Sequence, residues 1–467
     1  MTSARAKSFL RSPLALILAT GLYVSWIGAL AVLRHWSFQT QAFDLGVFDQ
    51  MFWHTVHGNP FFNTLEGASH LETHFTPSLI LLAPLYWLIP SPQTLISAQT
   101  LALALGAIPL WLIARRTLSP DMAIAIAVSY LAYPWLHAIN LFDFHEEPLT
   151  IPLFFTAFWL VGGKRYLAAA IALAIAAGTK ENAAAAVIAS GMYFALDPKH
   201  RKFGISIIIG SVAYLAAVVG TVLGSRGGEL FRFRYGNIGG TPTEALRNVF
   251  THPGILAAAA LTKAKALYVL RLFLPVAFLP LLAPTFLIPL APGLLQNVLA
   301  EYRPQFSNLY QYDALLIPFL FIGLVAACRK IIARWPMAAR GLPYVIALFA
   351  LGAFLYFSPA GPVRFSKALY AADERVLALR ELAKSVPPGA SVAAGTNLIP
   401  HLSSRNRIWM IGSEPERADV VLFDGAEAFP FASLTELETY ADGLAKSGAY
   451  RITLINNRYY RFERKNL

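Results

Sequence analysis

The sequence predicts a polytopic α-helical membrane protein of about eleven spans with a small C-terminal α/β domain. Three observations carry that prediction. Of 467 residues, 56% are hydrophobic and only 14% are charged, with a mean hydropathy of +0.53, whereas soluble domains carry about a quarter charged residues. Long apolar runs recur between residues 13 and 359, each closed by a short polar stretch, as in a chain that crosses a bilayer repeatedly. The segment 360–467 departs from this pattern, because its 14 Lys/Arg and 12 Asp/Glu are the balance of a water-exposed folded domain. The chain therefore divides into a transmembrane part, 1–359, with a first outer loop at 34–93, and a soluble part, 360–467. The net charge of +12 sits mostly between the apolar runs, where it reports orientation and lipid contact rather than nucleic-acid binding. The single cysteine, Cys328, excludes a disulfide framework within one chain and a cysteine-cluster zinc site.

A spanning helix needs about 20 apolar residues, fewer where neighbours bury its ends. The candidate spans are 13–33, 94–114, 121–138, 148–162, 165–178, 183–196, 203–223, 266–282, 284–299, 313–328 and 341–358. The first follows Arg5, Lys7 and Arg11 and is longer than a signal-peptide core, so it reads as a retained anchor. The run 77–90 is short and bounded by prolines. Placed in the interface or re-entrant, it lets every basic cluster (115–116, 164–165, 199–202 and 329–340) fall on one side, as the positive-inside rule demands. A plasma (inner) membrane protein with a cytoplasmic N-terminus and an extracytoplasmic C-terminal domain is expected. In that topology only Asp121 and Asp197 of the acids before residue 360 face the cytoplasm. The rest gather at the outer face, together with His35, His54, His57, His70 and His74 of the first outer loop.

Five clusters stand out at that face. Asp44 and Asp49 lie five apart among apolar residues. A partly desolvated carboxylate there serves as a general base, or Asp44 merely caps a helix beginning at Leu45. In His70-x-Glu72-x-His74, alternate residues of an extended segment would face one way and ligate a divalent cation, the one cofactor the residues leave open. An orienting role for His74 competes with it. Asp143-Phe144-His145-Glu146-Glu147-Pro148 crowds four ionisable groups into one loop, either as a site or as acids favouring the next helix's N-terminus. Thr179-Lys180-Glu181-Asn182 joins two short apolar runs at membrane depth, where Lys180 is a candidate phosphate ligand and Glu181 its partner, or the two form a surface ion pair. Arg232 and Arg234 alternate with Phe231, Phe233 and Tyr235, a pattern suited to a lipid phosphate at the interface. The C-terminal segment alternates helix (373–384, 434–446) and strand (391–394, 419–423, 450–455) signals, without a Gly-rich phosphate loop or a nucleophile elbow.

Most of the chain resembles a family of bacterial and archaeal multi-pass membrane proteins of unknown function. The resemblance rests on Phe43-Asp44-Leu45-Gly46-x-x-Asp49-Gln50, His74-Phe75-x-Pro77, Phe144-His145-x-Glu147, Lys180-Glu181 and Pro400-His401-Leu402-Ser403-x-Arg405. That family more distantly resembles the GT-C glycosyltransferases that use polyprenyl-phosphate sugars. The likeness implies a GT-C-like fold, with Asp44 at the catalytic position fourteen residues before Gly58. It also implies that His74 and Pro77 stand in the His-Pro segment, Glu147 at the second acidic position and Thr179-Lys180 at the lysine position. Those transferases often carry adjacent Asp-Glu, whereas Leu45 follows Asp44 here and the second acid is Asp49, so either aspartate stands as the base.

The expected activity is glycosyl transfer from a polyprenyl-phosphate-linked sugar to an acceptor at the outer face, catalysed by Asp44 or Asp49. His74, His145, Glu147, Lys180, Glu181, Arg232 and Arg234 would bind the substrate, with membrane lipid as the other partner and no nucleic acid. A transporter or flippase of a lipid-linked substrate, or a non-catalytic assembly protein, is the alternative. A transporter needs ionisable groups near mid-membrane, and here only Arg271 falls well inside a candidate span, the others lying at span ends.

Overall fold

The computed structural model describes residues 13–222, 227–414 and 417–465. Six helices are long and apolar enough to cross a membrane: Pro13–Trp36, Pro92–Arg115, Pro120–Leu141, Arg201–Val218, Gln311–Arg334 and Ala338–Phe357. Shorter apolar helices, Glu147–Gly162, Tyr166–Ala177, Ala183–Ala195 and Pro284–Leu299, pack among them. Small residues make this possible. Gly191 lies so close to the backbone of Gly204 that an added Cβ would stand 2.9 Å from its carbonyl, allowing Ala183–Ala195 and the helix after it to touch. The membrane protein fold expected from composition is therefore observed.

Two apolar runs are not single spans. The stretch Pro77–Leu88 is one 3-10 turn followed by one short helix. Its rise of about 20 Å falls short of the roughly 30 Å hydrocarbon core. The expected span 266–282 is broken: Lys263–Phe273 ends at Pro275, and Ala277 and Phe278 both take left-handed backbone (φ 53° and 56°). A proline removes the amide that would continue the helix, and the two left-handed residues reverse the chain.

The basic clusters meet at one end of the bundle, where Arg116, His200 and Arg329 line a common cavity. The opposite end carries the acids, and the C-terminal domain sits on it. There the first loop contributes a short hairpin, β1 (Phe62–Asn63) with β2 (Ala68–Ser69). The domain itself is a five-stranded sheet of β3 (Val392–Ala394), β4 (Ile408–Met410), β5 (Val420–Asp424), β6 (Tyr450–Ile455) and β7 (Tyr459–Arg464), in the order β4-β3-β5-β7-β6. β3 runs parallel to β4 and β5, while β7 is antiparallel to both its neighbours. β4 and β7 escape the sequence reading because one is three residues long and the other is Arg- and Glu-rich. The helix Leu434–Lys446 covers one face of the sheet. The other face buries Val392, Leu422 and Ile399 against Leu379 and against Phe38 and Ala42 of the first loop, so the domain completes its core with residues from the membrane part.

Candidate functional site

The acid-bearing end of the bundle is organised around Lys180. Its side chain is only 4% exposed and its Nζ lies 2.7 Å from Glu146 Oε1 and 3.2 Å from Glu147 Oε1. Burial opposes the ammonium charge, but Glu146 and Glu147 outweigh it and hold Lys180 protonated well above the usual lysine range. Burial likewise opposes ionisation of Glu146, yet Lys180, His74 and His145 push its carboxyl well below the usual range. The acids thus form a buried ion triad; they are neither a surface pair nor simple helix-dipole partners. Asn182 Nδ2 donates to Glu147 Oε1 (2.8 Å) and to Gln296 Oε1 (3.0 Å), joining the triad to a third helix.

Glu181 belongs to the first loop as much as to its own turn. Its carboxylate accepts from His74 Nδ1 (2.9 Å) and from the backbone N–H of Phe75 (3.0 Å). Glu181 stays ionised down to about pH 2, because His74 and Lys180 overcome its burial. Ser78 N–H donates to Gly178 O (2.8 Å), and its hydroxyl donates to Ile175 O (2.8 Å). These bonds lock the segment after His74 against the Lys180 turn.

Asp44 occupies a single π-type turn, Ala42–Gly46, in which the Gly46 N–H reaches back five residues to Gln41 O. Such turns recur at functional sites because they splay side chains out of helical register. Asp44 caps nothing: its Oδ1 accepts from His145 Nε2 at 3.0 Å, and its Oδ2 has no partner among the described residues. His145 is held by its backbone N–H to Gln99 Oε1 (2.9 Å) and by stacking on Phe142. Burial disfavours its charge, but the bond to Asp44 and the field of Glu146 raise its proton affinity. Behind the turn, Asp143 Oδ2 accepts from Gln41 N–H (2.9 Å), and burial pushes that carboxyl up to about 7.

Two cavities flank the 143–147 loop. One, of about 240 Å³, is lined by His74, Lys180, Glu181, Phe231, Arg234 and Gln296 among others. The second, of about 450 Å³, is lined by Asp44, Arg34, Gln311 and four tyrosines. Arg234 sits at their boundary, its guanidinium 5.6 Å from the centre of the Tyr312 ring that lines the second cavity. Its Nε has no hydrogen-bond partner and it makes no ion pair among the described residues. It is therefore the cation still available to an anionic ligand, whereas Lys180 is already neutralised.

Several sequence expectations change here. Arg232 and Arg234, expected to bind a phosphate together, lie on one helix, Gly227–Tyr235. Two helical positions apart is about 200° of rotation, so Arg234 faces the cavity with Phe231 while Arg232 is exposed on the other side. Asp49 does not share a site with Asp44. It is fully buried, and its carboxylate accepts from Tyr86 (2.7 Å), Ser403 (2.7 Å) and Ser404 (2.9 Å), which tie the first loop to the C-terminal domain. Burial pushes it up to about 6 despite those hydroxyls. His70, Glu72 and His74 do not form a shared ligand set, because 70–72 is a 3-10 turn: the His70 and His74 rings meet edge to face (5.9 Å), but His70 Nδ1 donates to Glu66 Oε2 (2.9 Å) and His74 Nδ1 to Glu181. Among the described residues no group of three or more His, Cys, Asp or Glu is arranged to hold a metal ion. Residues missed in the sequence include Gln296, Gln311 and Tyr312. Neutral polar and aromatic side chains in apolar runs carry no signal until folding brings them together.

A family model described as a predicted membrane protein, DUF2079, matches residues 34–459. The chain belongs to the DUF2079 family. No curated protein matches the sequence. Among solved structures, this DUF2079 protein is similar to ArnT from Cupriavidus metallidurans bound to undecaprenyl phosphate (TM-score 0.54, 13% identity, 95% of this chain and 98% of that one). It is similar to the same protein in the apo state (TM-score 0.53, 12% identity, the same coverage). The archaeal oligosaccharyltransferase AglB from Archaeoglobus fulgidus, in complex with an inhibitory peptide and a dolichol-phosphate, gives a TM-score of 0.48 at 13% identity, over 97% of this chain and 74% of that one. At these identities the ArnT likeness establishes the fold, which is the GT-C-like architecture expected from the sequence motifs.

Proposed function

We propose that this DUF2079 protein is a GT-C-type glycosyltransferase that moves a sugar from a polyprenyl-phosphate donor to an acceptor hydroxyl. The reaction takes place at the outer face of the plasma membrane, with the N-terminus cytoplasmic and the C-terminal domain outside. One observation carries the reading. A cavity with an available cation, Arg234, and a buried lysine, Lys180, lies across the 143–147 loop from a carboxylate, Asp44, that has a free oxygen. The polyprenyl phosphate named with ArnT supports the choice of carrier.

In this mechanism Arg234 holds the donor phosphate, and Lys180, its charge already met by Glu146 and Glu147, shapes the wall of the same cavity. Asp44 Oδ2 takes the proton of the acceptor hydroxyl as its oxygen attacks the anomeric carbon. The bond from that carbon to the phosphate oxygen breaks, and its electron pair leaves with the polyprenyl phosphate, whose charge Arg234 meets. His145 orients Asp44 through the 3.0 Å bond, and Asp49 takes no part. The test is transfer by the purified chain in lipid with a panel of radiolabelled polyprenyl-phosphate sugars. Asp44→Asn should lose transfer by about 10²-fold or more, the range of general-base catalysis, while still binding undecaprenyl phosphate. Wild-type transfer by Asp44→Asn removes it from the base role. A protein that binds the carrier and consumes no donor is instead a transporter or binding protein.

A further inference from the structure

The cavity beside Asp44 differs in chemistry from the one beside Lys180. Tyr302, Tyr310, Tyr312 and Tyr370 line it, and none of their hydroxyls makes a hydrogen bond among the described residues. Of these only Tyr312 is buried; elsewhere the buried Tyr86, Tyr130, Tyr133, Tyr268 and Tyr450 all donate from their hydroxyls, while the buried Tyr23 hydroxyl has no partner among the described residues. Gln311 lines the same cavity, is only 6% exposed, and its Oε1 has no partner among the described residues.

Among the described residues that line this cavity none is an available cation, Arg234 lying beyond the Tyr312 ring at its boundary. Arg34 is the one positive group among the described residues that line it, and its two Nη atoms are engaged by backbone carbonyls, although its Nε has no partner among those residues. It donates to Leu141 O, to Phe142 O (2.7 Å) and to Gln39 O (3.1 Å) while lying over the Phe142 ring. The remaining charge is Asp44. A phosphate or carboxylate entering here would meet a carboxylate of its own sign, Asp44, and an arginine whose Nη donors are already bonded to backbone carbonyls. A hydrocarbon chain would leave four hydroxyls and one amide unmet. A protonated amine would pair with Asp44 and could not attack until it lost a proton.

We propose that this cavity is a carbohydrate site, in which a neutral sugar stacks its C–H faces on Tyr310 and Tyr370 and exchanges hydrogen bonds with Gln311 and the tyrosine hydroxyls. This deepens the transferase reading, on which it rests only for the role of that sugar as acceptor. The rings of Tyr310 and Tyr370 are themselves braced, Tyr310 edge-on to Phe142 (4.7 Å between centres) and Tyr370 stacked on Phe365 (5.2 Å). Rigid aromatic faces order a ligand at little entropic cost. With the sugar seated, one of its hydroxyls presents to Asp44 Oδ2.

The test is saturation-transfer NMR on the full chain in lipid nanodiscs, without donor. The probes are methyl α-mannoside, methyl α-glucoside, methyl β-galactoside, glucose 6-phosphate and a short neutral peptide. Saturable transfer to the C–H protons of at least one methyl glycoside is expected, with glucose 6-phosphate and the peptide weaker. Tyr310→Ala should weaken that binding by tenfold or more, Tyr310→Phe should keep most of it, and Gln311→Leu should weaken it severalfold. Undecaprenyl phosphate binding at the other cavity reports that each variant is folded. Preferential binding of glucose 6-phosphate or of the peptide overturns the proposal. So does glycoside binding that Tyr310→Ala leaves unchanged, or no glycoside binding by a wild type that still binds undecaprenyl phosphate. A protein that binds glycosides through Tyr310 but transfers nothing loses the transferase reading and keeps this site. One that transfers sugar with no role for Tyr310 loses this site alone.

Discussion

Replacing Lys180 by methionine keeps the length of the side chain and removes the charge that two buried glutamates require. At an effective dielectric of about 20, the contacts at 2.7 and 3.2 Å correspond to gross attractions of about 6 and about 5 kcal/mol. Most of that repays the desolvation of three charges, so the net worth of the triad is small. Breaking it is another matter, because Glu146 and Glu147 are 1% exposed and would be left without their cation. Removing one partner of a buried pair costs about 3–5 kcal/mol, and that is the loss expected for Lys180→Met at pH 7. It should show as a lowered midpoint of chemical unfolding, followed by tryptophan fluorescence of the purified chain in detergent. Without Lys180 the burial of Glu146 is no longer opposed by its strongest partner, so its proton affinity rises. The loss should therefore shrink as pH falls and Glu146 takes up a proton. Adding Glu146→Gln and Glu147→Gln to Lys180→Met should recover most of the stability, since an uncharged cluster needs no counter-ion. A single-variant loss below about 1 kcal/mol, the worth of an exposed pair, would refute the reasoning, as would a triple variant no more stable than the single one.

The remaining predictions concern the cation, the domain junction and its proton. Arg234→Ala should weaken undecaprenyl phosphate binding by about ten- to a hundredfold, the worth of a charged hydrogen bond, while exposed Arg232→Ala should change it little; equal effects in a binding assay would undo the helical separation of the two. Gly46→Ala places a methyl 2.8 Å from Ile399 Cγ2 and should cost about 1–3 kcal/mol as overpacking. In thermal unfolding, combination with Ile399→Ala should cost less than the two variants summed. Asp49 keeps its proton to about pH 6 when folded, against 3.8 for the free group. The folded state binds that proton more tightly, so its contribution is full below about pH 3.8 and is lost as pH rises through 6, about 3 kcal/mol over about two units. Asp49→Asn should flatten this dependence, which hydrogen exchange of residues 47–56 between pH 4 and 7 would detect.

The membrane architecture was legible in the sequence because apolar length is a local property. A run such as 120–141 buries its backbone hydrogen bonds within itself whatever its neighbours do. Clustering of acids and histidines at one end of the spans was legible for the same reason, since the charges follow from where each span stops. Asp44, His145, Lys180 and Glu181 could be singled out by type and position. Their partners could not be assigned, because those partners are distant in the chain. Asp44 meets His145 101 residues away, His74 meets Glu181 107 away, and Asp49 meets Ser403 354 away.

Only the tertiary structure separated the two aspartates. The C-terminal domain lends Ser403 and Ser404 to Asp49 and presses Ile399 against Gly46, so one carboxylate is spent on joining domains while the other keeps an oxygen free. It likewise separated Arg234 from Arg232, since a helix sends them to different faces where an extended segment would have kept both together. The physical reason is the same in each case. Residue type sets what a side chain can do, but whether its charge is neutralised by a neighbour or left for a ligand depends on which distant groups packing brings within about 3 Å.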